Sequence, residues 1–140
     1  MDTEQLWRAG NNLIDGFVGV FPLDRVPLVS NLIWGNSFIV KTETRNLPGQ
    51  HWIAVYVGDA TIHVFDPLGV YYPVHLVSYL QNGHRRVIYS RTPVQDPRLD
   101  TCGQHCLRWI IAVSSYLYFC LFVNYIFFLL PIEMQWASKN

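Results

Sequence analysis

Three residue types that support acyl-transfer chemistry occur in order along the chain: His51, Asp66 and Cys102. A thiolate is a good nucleophile, an imidazole can carry its proton, and a carboxylate can fix the imidazole's tautomer. We therefore take Cys102 as the candidate nucleophile, His51 as the candidate general base and Asp66 as the group that orients the histidine. This chemistry requires a fold that brings the three side chains together.

The histidine and the aspartate flank a predicted hairpin. The β-branched and aromatic segments His51–Val57 and Thr61–Phe65 are typical of strands. Gly58 lies where a type II′ turn needs glycine. Such a turn would place His51 directly opposite Asp66, on the same face of the hairpin and within hydrogen-bonding reach.

Two alternatives remain for this pair. A four-residue loop between the strands would shift the register and separate His51 from Asp66. The sequence Asp-Pro-Leu-Gly from Asp66 is also a good turn sequence by itself, which would leave His51 as an ordinary surface histidine.

The cysteine lies where a helix is expected to begin. Residues 92–101 contain two prolines and predict a loop, and an apolar helical pattern starts at Cys102. A thiol at a helix N-terminus has a lowered pKa. The backbone N–H of Cys102 and the side-chain amide of Gln95 are the candidate oxyanion donors. Gly103 is expected to leave the approach to the sulfur open, as part of the substrate cleft.

The remaining cysteines have simpler interpretations. Cys106 and Cys120 are expected to be small buried apolar residues. A metal site built from Cys102, His105 and Cys106 would lack a second pair of ligands at the usual zinc spacing, so we predict no metal. The sequence indicates no other cofactor.

Composition restricts the class of protein. The chain has 140 residues, of which 51% are hydrophobic, and its formal net charge is zero. This balance gives no electrostatic reason to expect nucleic-acid binding. Three cysteines do not form a secreted disulfide scaffold, so a reducing intracellular compartment, nucleus or cytoplasm, is favoured.

The other elements can be placed from local patterns. Residues 3–9 and Val74–Leu80 predict helices, and Ser37–Glu43 and Arg86–Ser90 predict strands. Helices and strands mix without a regular βαβ rhythm, which favours an α+β fold over a doubly wound sheet. We expect a small mixed or antiparallel sheet packed on the helix that starts at Cys102.

The segments HWIAVYV, FDPLG and VQDPRLDTCGQHC, in this order and spacing, resemble the adenovirus protease (adenain) family. That family belongs to a wider class that includes proteases of ubiquitin-like proteins, and similar enzymes occur in Maverick/Polinton elements. FVGVFPLDRVP and SFIVKTE resemble its earlier segments, so the match covers roughly residues 17–110, about two thirds of the chain.

The resemblance has specific implications. It implies His51, Asp66 and Cys102 as the catalytic triad and Gln95 as the side-chain oxyanion donor, with Trp52 helping to define the cleft. It also implies a papain-like arrangement and cleavage after small residues, especially glycine, in a protein or peptide substrate. We therefore expect a cysteine endopeptidase that processes viral or transposon precursors.

Adenovirus proteases are stimulated by DNA and by a disulfide-linked peptide. Residues 67–94 contain no cysteine for such a bond, and the chain is not basic, so neither activator is expected.

Two alternatives to an endopeptidase remain. The first is an isopeptidase that removes a ubiquitin-like protein. The second is an inactive truncated remnant or a membrane-attached protein that is not an enzyme.

The C-terminal part departs from the family. Residues 109–132 contain no charged residue and are long enough to span a bilayer. We expect residues 1–118 to form a single protease domain and residues 119–140 an apolar tail. For that tail, a truncated or replaced family sequence is favoured over a membrane anchor.

Overall fold

A computed structural model describes residues 1–42, 51–69, 73–90 and 93–129, with only the backbone of the last helix described beyond Tyr116. It contains the predicted helices and strands and one strand that the sequence did not predict. The elements are α1 (Thr3–Leu13), β1 (Phe17–Pro22), β2 (Ser37–Thr42), β3 (His51–Val57), β4 (Thr61–Phe65), α2 (Val74–Gln81), β5 (Arg86–Ser90) and α3 (Cys102–Leu129). The predicted end of the second strand, Glu43, lies outside the described residues.

The strands form one mixed sheet in the order β1-β2-β3-β4-β5. The central pairs β2–β3 and β3–β4 are antiparallel, whereas the outer pairs β1–β2 and β4–β5 are parallel. The coarse α+β expectation is confirmed. One local correction applies, because β4, α2 and β5 do form a single βαβ unit, in which α2 connects two parallel neighbours.

Helices cover both faces of the sheet. α1 and α3 pack on one face, where the buried cluster includes Leu6, Trp52, Cys106 and Ile110. α2 packs on the other face, against a cluster that includes Ile53 and Leu76. All seven residues of β3 are buried because this central strand is covered on both sides. The strand that begins with His51 is therefore anchored in the middle of the core.

The strand β1 is the element that the sequence did not predict. In the sequence, residues 17–21 form a short apolar run, which Pro22 and Pro27 follow. In the structure they pair in parallel with β2, with an irregularity between Phe17 and Gly19, and Gly19 has a φ of 150°. A short edge strand with a bulge and a terminal proline carries a weak sequence signal.

The hairpin register differs from the prediction. Val57 pairs with Ile62, so four residues rather than two lie between the last paired residues of the hairpin, and Gly58 N–H donates to Thr61 O at 2.7 Å. Gly58 does not have the positive φ of a type II′ turn. The register therefore slides by two residues. This even shift keeps every side chain on its predicted face, but His51 is no longer directly opposite Asp66.

The helix α3 is continuous across the predicted boundary at residues 118 and 119, so that division stays a prediction. Within the part of the chain that the structure describes, no helix combines the length and apolar character that crossing a bilayer requires.

Candidate active site

Cys102, His51 and Asp66 meet at the end of the sheet where α3 begins. His51 Nδ1 lies 3.3 Å from Cys102 Sγ. On its other side, His51 Nε2 lies 2.7 Å from Asp66 Oδ1. Each ring nitrogen therefore has its own partner, and the three side chains form one continuous chain of contacts. Such a chain can pass a proton from the sulfur to the imidazole while the carboxylate holds the ring.

A tight turn after β4 gives the carboxylate its position. Asp66 Oδ1 accepts a hydrogen bond from Leu68 N–H at 2.9 Å, and Gly69 N–H closes the turn on Asp66 O at 3.1 Å. Gly69 has a φ of 66°, a conformation that glycine adopts without strain. The Asp66 carboxylate therefore contacts both the turn backbone and His51. A role in the turn and a role beside the histidine are compatible.

The same turn also anchors the loop that carries Gln95. Pro67 O accepts hydrogen bonds from Val94 N–H at 2.9 Å and from Gln95 N–H at 3.1 Å. The side-chain amide of Gln95 donates to Leu99 O and also hydrogen-bonds to Cys102. An amide nitrogen has two hydrogens, so one can fix its orientation while the other faces the sulfur. The turn that follows β4 thus positions both the Asp66 carboxylate and the loop that carries the Gln95 amide.

The sulfur lies at the start of α3. Thr101 O accepts the first helical hydrogen bond, from His105 N–H at 3.1 Å, which makes Cys102 the first helical residue. The N–H groups of a first helical turn have no partner inside the helix and lie at its positive end. Cys102 therefore combines a nucleophilic atom with a backbone donor suited to an oxyanion.

The charge states of His51 and Cys102 are coupled. Burial alone would lower the pKa of His51, but the hydrogen bonds and charges of Asp66 and Cys102 outweigh it and raise this pKa to about 9. Burial also disfavours a thiolate at Cys102. Hydrogen bonds and charge from His51, with further hydrogen bonds from Gln95 and the Trp52 backbone, nevertheless lower the pKa of this thiol. Together these shifts favour a thiolate–imidazolium pair.

The second cysteine of α3 has the opposite character. Cys106 is fully buried, its thiol donates to Trp52 O at 3.4 Å, and burial raises its pKa well above the ordinary value. A neutral buried thiol is a poor nucleophile. The expectation of a small buried residue is confirmed for Cys106, whereas the Cys120 side chain lies outside the description. Among the described residues, no group of three His, Cys, Asp or Glu side chains could hold a metal ion.

Two residues assigned to the cleft have other positions. The Trp52 side chain is only 1% exposed and packs in the core beneath α3, so it does not line an open cleft. A Cβ at Gly103 would lie 2.7 Å from Leu6 Cδ2. Gly103 therefore allows α1 and α3 to pack closely, which accounts for a glycine here, and its role in the substrate cleft stays a prediction.

Tyr89 is a site residue that the sequence reasoning did not identify. Its hydroxyl donates to Asp66 Oδ2 at 3.4 Å. The sequence predicted the strand β5 but did not predict that β5 pairs in parallel with β4. That pairing places Tyr89 beside Val64 and therefore close to Asp66.

Thr42 is a second residue that the sequence reasoning did not identify. Its hydroxyl donates to His51 O at 3.2 Å and holds the start of β3.

No protein-family model matches the chain, and no curated protein matches it at a significant level.

Proposed function

We propose that this protein is a cysteine endopeptidase in which Cys102 attacks the scissile carbonyl, His51 transfers the proton and Asp66 orients His51. The observation that carries the proposal is the unbroken contact chain from Cys102 Sγ through both nitrogens of His51 to Asp66 Oδ1. A buried thiol could have that position for packing alone. Packing alone does not explain an adjacent imidazole that has its own carboxylate.

The proposed reaction has two halves. The Cys102 thiolate adds to the carbonyl carbon, and the backbone N–H of Cys102 with the Gln95 amide binds the resulting oxyanion. The His51 imidazolium then gives its proton to the leaving amine, which leaves a thioester on Cys102. In the second half His51 takes a proton from water, and the resulting hydroxide attacks the thioester. The acid product is then released, and the Cys102 thiolate and the His51 imidazolium are regenerated.

The proposal extends to the class of substrate. His51, Cys102 and Gln95 are 3%, 5% and 7% exposed, so there is little room beside the sulfur. A peptide bond that follows a glycine or another small residue would enter such a site most easily. This agrees with the resemblance to the adenovirus protease type, and we include a papain-like arrangement and a role in precursor processing in the proposal. Its structural support is that α3 begins at the nucleophile and packs on the strand of the base.

Peptide cleavage tests this proposal directly. Fluorogenic peptides with Gly, Ala or Leu before the reporter bond are incubated with the protein and with its Cys102→Ala and Cys106→Ala variants. We expect cleavage after Gly that is lost in Cys102→Ala and kept in Cys106→Ala, because only the first thiol is activated. Equal cleavage by Cys102→Ala and the unaltered protein would contradict the assignment. Cleavage of a ubiquitin-like substrate alone would instead favour the isopeptidase alternative.

A further inference from the structure

The Asp66 carboxylate has different partners on its two oxygens. Oδ1 lies 2.7 Å from His51 Nε2 and accepts from Leu68 N–H at 2.9 Å. Oδ2 accepts from the Tyr89 hydroxyl at 3.4 Å. Asp66 is fully buried, so bulk water cannot replace a lost donor without a rearrangement. The contact at Oδ2 therefore affects the plane in which the carboxylate faces His51.

We propose that Tyr89 is a positioning residue of the catalytic site, acting on His51 through the Asp66 carboxylate; this inference rests on the proposed function. The terminal torsion of an aspartate is broad, so the carboxylate plane is fixed mainly by its hydrogen bonds. A donor on Oδ2 opposes rotation and keeps Oδ1 aligned with Nε2. Outer partners of this kind orient the groups that perform the chemistry.

The location of Tyr89 supports this role. It lies on β5, beside Val64 of β4, and Asp66 follows two residues after Val64. The parallel pairing of β4 with β5 therefore carries the hydroxyl to the end of β4, where the strand turns toward the site. Val87 and Tyr89 both pack against the core on the α2 face, which restricts movement of this part of β5.

Loss of the hydroxyl has a predictable effect on the thiol. Without the hydroxyl of Tyr89 the carboxylate is less well aligned with His51 Nε2, so it supports the imidazolium less well. The imidazolium is the main group that lowers the pKa of the Cys102 thiol. Poorer alignment therefore raises this pKa toward its ordinary value, and alkylation of Cys102 at mildly acidic pH should slow.

The test is the rate of Cys102 alkylation by iodoacetamide in Tyr89→Phe, measured as a function of pH. We expect the rate at mildly acidic pH to fall by roughly threefold to tenfold, the range for losing an ordinary hydrogen bond, because the contact at 3.4 Å is long. Tyr79→Phe is the matched control. The Tyr79 hydroxyl is also structural, donating to Pro27 O at 3.0 Å and accepting from Val29 N–H at 3.2 Å, but it belongs to α2. Its removal should leave alkylation unchanged.

A double-variant cycle distinguishes positioning from packing. In an Asp66→Asn background, Tyr89→Phe should change the alkylation rate by less than about twofold, because the carboxylate through which it acts is gone. The same loss in both backgrounds, or a Tyr89→Phe rate equal to that of Tyr79→Phe, would overturn the inference. Failure of the proposed function has a different signature: His51→Ala would then leave alkylation as fast as in the unaltered protein.

Discussion

His51 Nε2 lies 2.7 Å from Asp66 Oδ1, and the two side chains are 3% and 0% exposed. Removing a carboxylate and an imidazolium from water costs free energy that their attraction often fails to recover. Apolar residues of similar volume would usually stabilise the fold at least as well. A buried pair of this kind beside a thiol is therefore better explained by chemistry than by stability.

Replacement of Asp66 by asparagine should keep the shape of the turn and remove the charge. The imidazole then loses the group that fixes its tautomer and favours its protonation. We expect the catalytic rate on a cleavable peptide to fall by about 10³-fold or more, by analogy with other triads. Steady-state kinetics at the pH optimum measures this loss. The control is Asp59→Asn, in the exposed hairpin loop, which should retain full activity; comparable losses in both variants would count against Asp66.

The pH dependence of peptide cleavage should be bell-shaped. The lowered pKa of Cys102 makes the thiolate form below the pH range of an ordinary thiol, so activity should rise early on the acidic side. His51 must be protonated to supply the leaving amine, and its raised pKa places the alkaline fall near pH 9. A profile of kcat/KM against pH tests both limbs. An alkaline limb near 6.5, the ordinary histidine value, would show that Asp66 and Cys102 do not raise the pKa of His51.

Substitution of Gln95 separates oxyanion binding from thiol activation. Gln95→Ala removes one of two proposed oxyanion donors, which typically costs about 10²- to 10³-fold in kcat. Alkylation of Cys102 forms no oxyanion, so its rate should fall much less. Gln81→Ala, at the exposed end of α2, is the matched control and should change neither rate. Parallel losses of cleavage and alkylation in Gln95→Ala would instead show that the amide acts mainly on the thiol.

Local patterns predicted most elements and the three side chains that the fold brings into contact. They did not predict how His51 reaches Asp66. Turn chemistry at Gly58 favoured a two-residue loop, but four residues lie between the paired Val57 and Ile62, so the register slides by two. The pair still meets because the turn after Asp66 brings the carboxylate to the histidine. A diagonal contact of this kind depends on the loop geometry, which sequence alone does not determine.

Local sequence patterns could not predict contacts between elements that are distant in sequence. The hydroxyl of Tyr89 reaches Asp66 only because β5 pairs in parallel with β4. The reason for a glycine at 103 lies in α1, almost one hundred residues earlier, where Leu6 occupies the space of its missing side chain. Helix periodicity identifies which face is apolar, but it does not say which partner helix covers that face.

Close packing of Gly103 against Leu6 should affect the stability of the fold. Gly103→Ala would gain up to about 1 kcal/mol of helix propensity. The added Cβ, 2.7 Å from a Leu6 methyl group, would cost about 1–3 kcal/mol of overpacking, so the net change should lower the free energy of unfolding. Chemical denaturation measures the change. In a Leu6→Ala background the same substitution should be neutral or stabilising, and an equal loss in both backgrounds would exclude the Leu6 contact as its cause.

Site-resolved alkylation tests most directly whether His51 activates the thiol of Cys102. The protein is treated briefly with iodoacetamide at neutral pH, and each modified cysteine is located and quantified by mass spectrometry in the unaltered chain and in His51→Ala. We predict rapid labelling of Cys102 and none of buried Cys106, with Cys102 slowing to the rate of an ordinary thiol in His51→Ala. Labelling of Cys102 at the same rate in both proteins would contradict the proposed catalytic pair.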